Sequence, residues 1–326
     1  MKAIQISMPG GPEVLETIEL PIPEPGYDEV LIRADSIGVG KPDVLMRTGV
    51  YRWSPPLPAI LGNEMSGYIE KIGPGVKKLA VGQPVLVFGT GGGRYAEYNS
   101  VSTSLVTPLP DNINLEDAVS IPNYIIAWAM LFEAACGINP NIAYVNGASG
   151  GVGTAIIDIC KSQGIDIIGG TSSDKKCEFI SEFGATHTIN YAREDVVKRV
   201  LDFTDGKGVE LVFDHLIGGR FTDTLDMLMP LGMIISFNAL SGMPDEELFS
   251  AMRKRAAKSL AVRCFSWHCY DDNLQKRKEI IESVVERFAQ GELNPPLYKR
   301  LALAEARLAH EILDRREVRG KIILKP

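Results

Sequence analysis

Cysteine and histidine are scarce in this chain, with 5 and 4 copies, and both are missing from residues 1–135; the earliest are Cys136 and His187. Thiolate and imidazole are the donors a tetrahedral zinc site needs, so no such site can be assembled from that stretch. No two cysteines stand in CxxC spacing, which predicts free thiols in a reducing compartment, with the cytoplasm as the default. The one cluster with metal-like residue types runs Cys264-Phe265-Ser266-Trp267-His268-Cys269. On an extended segment Cys264 and Cys269 face opposite sides and no fourth ligand is near, so it reads as packing or as lining of a substrate pocket. Long apolar runs are also lacking: Ile125 to Phe132 is the longest, far below a membrane span. The start, Met1 to Ser7, is too short and interrupted for a signal peptide.

What is present fits a two-domain enzyme. The chain has 326 residues, 45% hydrophobic and 23% charged, enough to bury two cores and too apolar for disorder. Its net charge of −7 argues against nonspecific binding to nucleic acid or acidic membranes. Residues 1 to about 125 read as short strands broken by Pro and Gly, such as Glu29 to Ala34 and Val81 to Val87, the pattern of an irregular barrel or sandwich. From Asn141 to about Cys264, strands alternate with helices. The expected strands are 141–146, 165–168, 188–190, 209–214, 233–238 and 259–264; the expected helices run through 175–183, 192–203, 220–229 and 245–258. Six strands with right-handed crossovers make a doubly wound parallel sheet. A helix over 274–290, a turn at Asn294-Pro295-Pro296, a helix over 304–316 and a strand over 321–324 form a tail too small for its own core. It is expected to pack on the first domain.

The stretch Gly147-Ala148-Ser149-Gly150-Gly151-Val152-Gly153 lies between the first strand and a helix carrying Val152, Ala155, Ile156, Ile159 and Cys160 on one face. A strand, a glycine turn, a helix and a second strand within about thirty residues are the context of a dinucleotide site. Glycine lets the backbone approach a pyrophosphate, whose charge then sits on the free N–H groups of the helix start. The second strand runs into Gly169-Gly170-Thr171-Ser172-Ser173-Asp174-Lys175-Lys176, with no acid at its tip to accept from a ribose 2′-hydroxyl. Asp174 is placed to cap the next helix. Hydroxyls and lysine suit a 2′-phosphate, which favours NADPH over NADH; the bland alternative makes both lysines solvated first-turn residues.

Taken together, Gly49-Val50-Tyr51, Pro58 to Glu64, Gly73 to Val76, Gly147 to Gly153, Asn190-Tyr191, Phe213-Asp214, Ala309-His310-Glu311 and Gly320-Lys321 carry a resemblance from end to end. The chain resembles the zinc-independent quinone oxidoreductase branch of the medium-chain dehydrogenase/reductase superfamily. The resemblance implies a GroES-like β-rich catalytic domain from both chain ends, residues 1–125 and 265–326, and an inserted Rossmann domain, residues 126–264. It implies a cofactor site of Gly147 to Gly153 with Ser172, Ser173, Lys176, Tyr191, Phe237 and Arg316, where Lys176, Tyr191 and Arg316 hold the 2′-phosphate. It also implies a homodimer. Asn63-Glu64 stands where zinc-dependent relatives carry His-Glu.

Without zinc, carbonyl polarisation must come from hydrogen bonds or be unnecessary, because a quinone accepts hydride readily and takes its proton from solvent. Tyr51 is the best candidate polar group, since a phenol can donate to a developing oxyanion. It can equally be an aromatic plug over the neighbouring prolines. By resemblance, Arg263 supports the oxyanion and Asp43 is a pocket acid. Gly40 and Ile126 replace polar residues usual in the family, so the expected pocket is apolar, with Trp53, Phe265 and Trp267 available to line it. The expected reaction is metal-free, NADPH-dependent reduction of a small apolar quinone or enone. The alternatives are an enoyl-thioester or 2-alkenal reductase with Tyr51 as proton donor, and an NADPH-binding protein with little turnover.

Overall fold

The computed structural model describes all 326 residues and divides them into two compact units, Met1–Pro122 with Pro295–Pro326, and Asn123–Asn294. In the first unit a seven-stranded mixed sheet is built around the long strand Glu29–Val39. That strand pairs with Glu64–Ile72 and Tyr98–Ser102, and with the chain's closing strand Lys321–Lys325, where Ile323 faces Gly38. Its inward residues, Val30, Ile32 and Ile37, meet Met65, Ile69, Val85, Val87, Ile322 and Leu324 in one buried core. The closing strand of the chain is therefore stitched into the same sheet as strands from its first hundred residues.

The second unit holds a six-stranded parallel sheet. Its strands are β1 (Ile142–Asn146), β2 (Asp166–Thr171), β3 (His187–Asn190), β4 (Val209–Asp214), β5 (Leu228–Ser236) and β6 (Ala261–Cys264). The spatial order is β3-β2-β1-β4-β5-β6, the doubly wound arrangement whose strand order reverses between β1 and β4. Helices α1 (Gly151–Ser162), α2 (Asp174–Phe183), α3 (Val196–Phe203), α4 (Leu248–Lys254) and α5 (Leu274–Ala289) connect or follow these strands.

Three sequence expectations are corrected. The helix expected over 220–229 is a 3₁₀ stretch, Phe221–Met227, running straight into β5. Pro230 has no N–H to continue a helix, and Leu228 already pairs with Val209. Helix α1 does not bury one face only: Thr154 through Cys160 are all buried. The return to the first unit comes at Pro295, not at residue 265. Amphipathic α5 packs within the second unit, where Phe288 meets Tyr124 edge-on at 4.9 Å and Arg287 covers Trp128 at 4.0 Å. Lys276 pairs with Glu133 at 2.8 Å, and the Asn294 amide donates to Asp158 at 2.7 Å. Length alone could not reveal which core this helix served.

Candidate functional site

The glycine turn is shaped by what surrounds each small residue. Gly147 takes φ +72, a conformation that glycine adopts without strain, and the Ala148 amide donates to the Gly170 carbonyl at 2.9 Å. A side chain on Gly153 would collide with the Ala148 backbone, so this glycine is what lets the first turn of α1 press against the turn that follows β1. Gly150 caps α1, and no side chain bonds its first-turn N–H groups. A helix start without a capping side chain, opening at the carboxyl end of a central strand, is suited to an anion. Gly147 to Gly151 also satisfy G-x-S-x-G spacing, but a nucleophile turn needs an exposed serine, and Ser149 is only 5% exposed.

At the tip of β2 the Lys176 ammonium lies 3.5 Å from the Ser172 hydroxyl. Ser173, not Asp174, is the N-cap of α2, through its backbone. The expectation that Asp174 caps this helix is therefore corrected. Its carboxylate turns away to accept from Asn190 at 2.9 Å and to pair with Arg193 at 2.6 Å. The Tyr191 amide donates to the Thr171 carbonyl at 2.9 Å, which fixes Tyr191 beside the same strand tip. Ser172, Ser173, Lys176 and Tyr191 thus gather at one end of β2, with no carboxylate left free among them.

Two side chains that the sequence reading passed over frame the turn. The His215 imidazole rests where a side chain on Gly147 would project, and the Asn123 amide lies 2.5 Å from where a Cβ on Gly151 would sit. Phe237, just past β5, has its ring 5.4 Å from that of His215. The signal was present in the glycines themselves: each small residue marks a neighbour that needs the space.

In the first unit, helix 41–47 starts at Gly40, with Pro42 in its first turn. Asp43 is fully buried and accepts from the Gly40 amide at 2.8 Å. Burial first, and then the nearby charge of Glu64, push its carboxyl up to about 7. Glu64 forms a buried pair with Lys321 from the closing strand. The Tyr95 hydroxyl meets His310 Nε2 at 3.1 Å, and burial holds that imidazole down at about 3, so it is neutral. Asn63 is buried, with its amide oxygen unpartnered. Tyr51 is half-buried, edge-on to Trp53 at 5.4 Å, and its phenol is pushed up to about 12 by burial and then by Asp43. Tyr51 thus packs as an aromatic against Trp53, and its phenol is protonated at neutral pH.

The remaining expected residues divide between the units. Arg263 lies in β6 of the second, where its charge acts on Cys269 and Tyr270. Arg316 belongs to the first, just past helix 306–314 at φ +56, and its charge acts on Lys41. Phe265 and Trp267 are buried in the second unit, while Trp53 stands 37% exposed in the first.

Residues 26–111 match the alcohol dehydrogenase GroES-like domain, and residues 151–282 match the zinc-binding dehydrogenase family. A quinone oxidoreductase of Pseudomonas aeruginosa is 32% identical over 100% of this chain and 99% of its own length. The chain belongs to the quinone oxidoreductase branch of the medium-chain dehydrogenase/reductase superfamily. The crystal structure of Escherichia coli quinone oxidoreductase complexed with NADPH superposes with a TM-score of 0.91 at 28% identity, covering 100% of both chains. A 2-haloacrylate reductase of Burkholderia sp is 27% identical over 99% of this chain and 98% of its own. The family assignment makes the protein an oxidoreductase, and residues 1–135 of this chain hold no cysteine or histidine.

Proposed function

We propose that the protein is an NADPH-dependent, metal-free reductase of quinones and related conjugated carbonyls. The observation that carries the cofactor half is the acid-free tip of β2, where Lys176 and Ser172 stand together. A 2′-phosphate would be held there by Ser172, Ser173, Lys176 and Tyr191, and the pyrophosphate by the uncapped start of α1. Bound nicotinamide supplies the hydride; the protein orients the acceptor and excludes water.

The similarity to quinone oxidoreductases supports the quinone half. The Tyr51 phenol, pushed up by burial, keeps its proton at neutral pH and can donate a hydrogen bond to a developing oxyanion. A reduced quinone takes its proton from solvent, which that phenol permits. Reduction of an activated carbon–carbon double bond is the second reading, favoured by the similarity to 2-haloacrylate reductase. We place the enzyme in the cytoplasm as a homodimer, which fractionation and sedimentation test.

The deciding experiment follows loss of NADPH absorbance with ortho- and para-quinones, alkenals, alkenones and crotonyl-CoA. Quinones are expected to be the fastest acceptors, and Tyr51→Phe to slow them only severalfold. Crotonyl-CoA outrunning every quinone, with a Tyr51→Phe loss of roughly 10²–10⁴-fold, would make Tyr51 a general acid and the enzyme an enoyl reductase. Tight NADPH binding without turnover on any acceptor would leave a binding protein.

A further inference from the structure

Two arginines of the chain are buried, Arg47 and Arg94, both in the first unit, and only one of them has a counter-charge. Arg47 pairs with Asp314 at 2.7 Å. Arg94 is 7% exposed, forms no ion pair, and has its Nε shut off from solvent without a partner. Burial alone pushes its guanidinium down to about 10, so it stays charged at neutral pH. A buried cation with nothing to offset its lost hydration is costly, and folded proteins ordinarily pair such charges. The acids on the neighbouring segments are engaged elsewhere: Glu64 pairs with Lys321, and Glu97 accepts from the Lys2 amide at 2.7 Å.

The fold of the first unit fixes where this charge stands. The Arg94 amide donates to the Gly62 carbonyl at 3.3 Å, and a Cβ on Gly62 would sit 3.0 Å from the Arg94 Cβ. The next residue, Asn63, carries the buried amide oxygen that finds no partner. The segment leading to Arg94 is Gly91-Gly92-Gly93, all at positive φ, and a Cβ on Gly92 would lie 3.3 Å from Pro55, on the loop that carries Tyr51. A Cβ on Gly91 or Gly93 would meet nothing within 4 Å, so there is free space beside this segment. An unsatisfied cation and an unsatisfied amide therefore belong to segments that border the Tyr51 loop, and groups of that kind are normally satisfied by something. A guanidinium fork matches a carboxylate, which it meets with two parallel N–H···O bonds. We infer that Arg94 binds a carboxylate on the acceptor, so that the substrates are conjugated carbonyl compounds carrying a carboxylate arm. This inference rests on the reading that the protein reduces quinones and related conjugated carbonyls.

The test compares a 1,4-benzoquinone bearing a carboxymethyl arm with its methyl ester, and 4-oxopent-2-enoate with its methyl ester, by loss of NADPH absorbance. The unaltered protein should favour each carboxylate over its ester by roughly ten- to a hundredfold in kcat/KM, the range of one charge-assisted hydrogen bond. Arg94→Met keeps the bulk without the charge and should bring that ratio to about one, mainly through KM, while Arg94→Lys should restore part of it. The melting temperature gives a readout without turnover: 4-oxopentanoate, the saturated acid, should raise it for the unaltered protein and not for Arg94→Met. Equal kcat/KM for acid and ester in the unaltered protein would overturn the inference, and that comparison needs no variant to fold. A preference that survives Arg94→Met would overturn it too. Weakened NADPH binding in Arg94→Met with the acid–ester ratio unmoved would also overturn it, by making a cofactor phosphate the partner. No turnover of any acceptor would bring down the reductase reading first, and the 4-oxopentanoate shift would then decide the inference by itself.

Discussion

Lys176 is the residue on which cofactor choice turns. A charge-assisted contact to a phosphate dianion in a partly shielded groove supplies the roughly 1.4 kcal/mol that a tenfold preference requires. NADPH should therefore bind at least about tenfold more tightly than NADH. Lys176→Ala should erase most of that gap by weakening NADPH alone, as read by fluorescence titration of both nucleotides. Equal affinities in the unaltered protein would sink the assignment. Asp43 and His310 set a second expectation at this scale. Asp43 has a folded pKa near 7, above its ordinary 3.8, so the folded state holds a proton that the unfolded state has released, and stability falls as pH rises between those values. His310 has a folded pKa near 3, below its ordinary 6.5, so the unfolded state holds the extra proton, and stability rises with pH between those values. The two slopes oppose each other from about pH 4 to 6.5. Asp43→Asn keeps an oxygen for the Gly40 amide and removes one slope. Its melting temperature should climb more steeply across that window than the unaltered protein's.

At the scale of elements, strand β2 shows why a glycine pair follows two isoleucines. A side chain on Gly170 would meet the Tyr144 hydroxyl of β1, which is buried and has no hydrogen-bond partner. Gly170→Ala should therefore cost about 1–3 kcal/mol by overpacking, measured by urea unfolding. Tyr144→Phe removes a hydroxyl that satisfies nothing, so alone it should be near neutral, and combined with Gly170→Ala it should recover part of the loss, the ring Cζ still lying 2.9 Å from the added Cβ. An additive double mutant would show that the clash is relieved elsewhere. The strands themselves were legible: their apolar runs and glycine punctuation gave β1, β4 and the glycine turn nearly to the residue. Element ends were less so, because Pro230 and the pairing of Leu228 with Val209 decide where β5 begins, and pairing is not local. Helix α5 was found in the sequence but assigned to the wrong core, since an amphipathic stripe says that a face is buried and not against what. His215 was missed for the same reason: nothing near it in sequence says that Gly147 lies beneath its ring.

For the whole molecule, metal content follows from where the ligating residue types fall along the chain. All 9 cysteines and histidines lie from residue 136 onward, and the first unit, which ends at Pro122 and resumes at Pro295, contains only His310. That imidazole is fully buried against Tyr95, held neutral by burial and then by the charges of Arg47 and Lys41, and has no thiolate or second imidazole in its unit. In the second unit Cys264 and Cys269 are exposed, and His268 pairs with Asp271 at 2.7 Å. No group of three His, Cys, Asp or Glu residues is arranged to hold an ion. The titratable group that acts on Tyr51 is instead the Asp43 carboxyl, and hydrogen bonds can orient and polarise where no metal does. Elemental analysis of the purified protein should therefore find far less than one zinc per chain, and dialysis against a chelator should leave NADPH oxidation by quinones unchanged. One tightly held zinc per chain, lost together with activity on chelation, would mean that the oxyanion is stabilised by a metal and that Tyr51 is its neighbour, not its substitute.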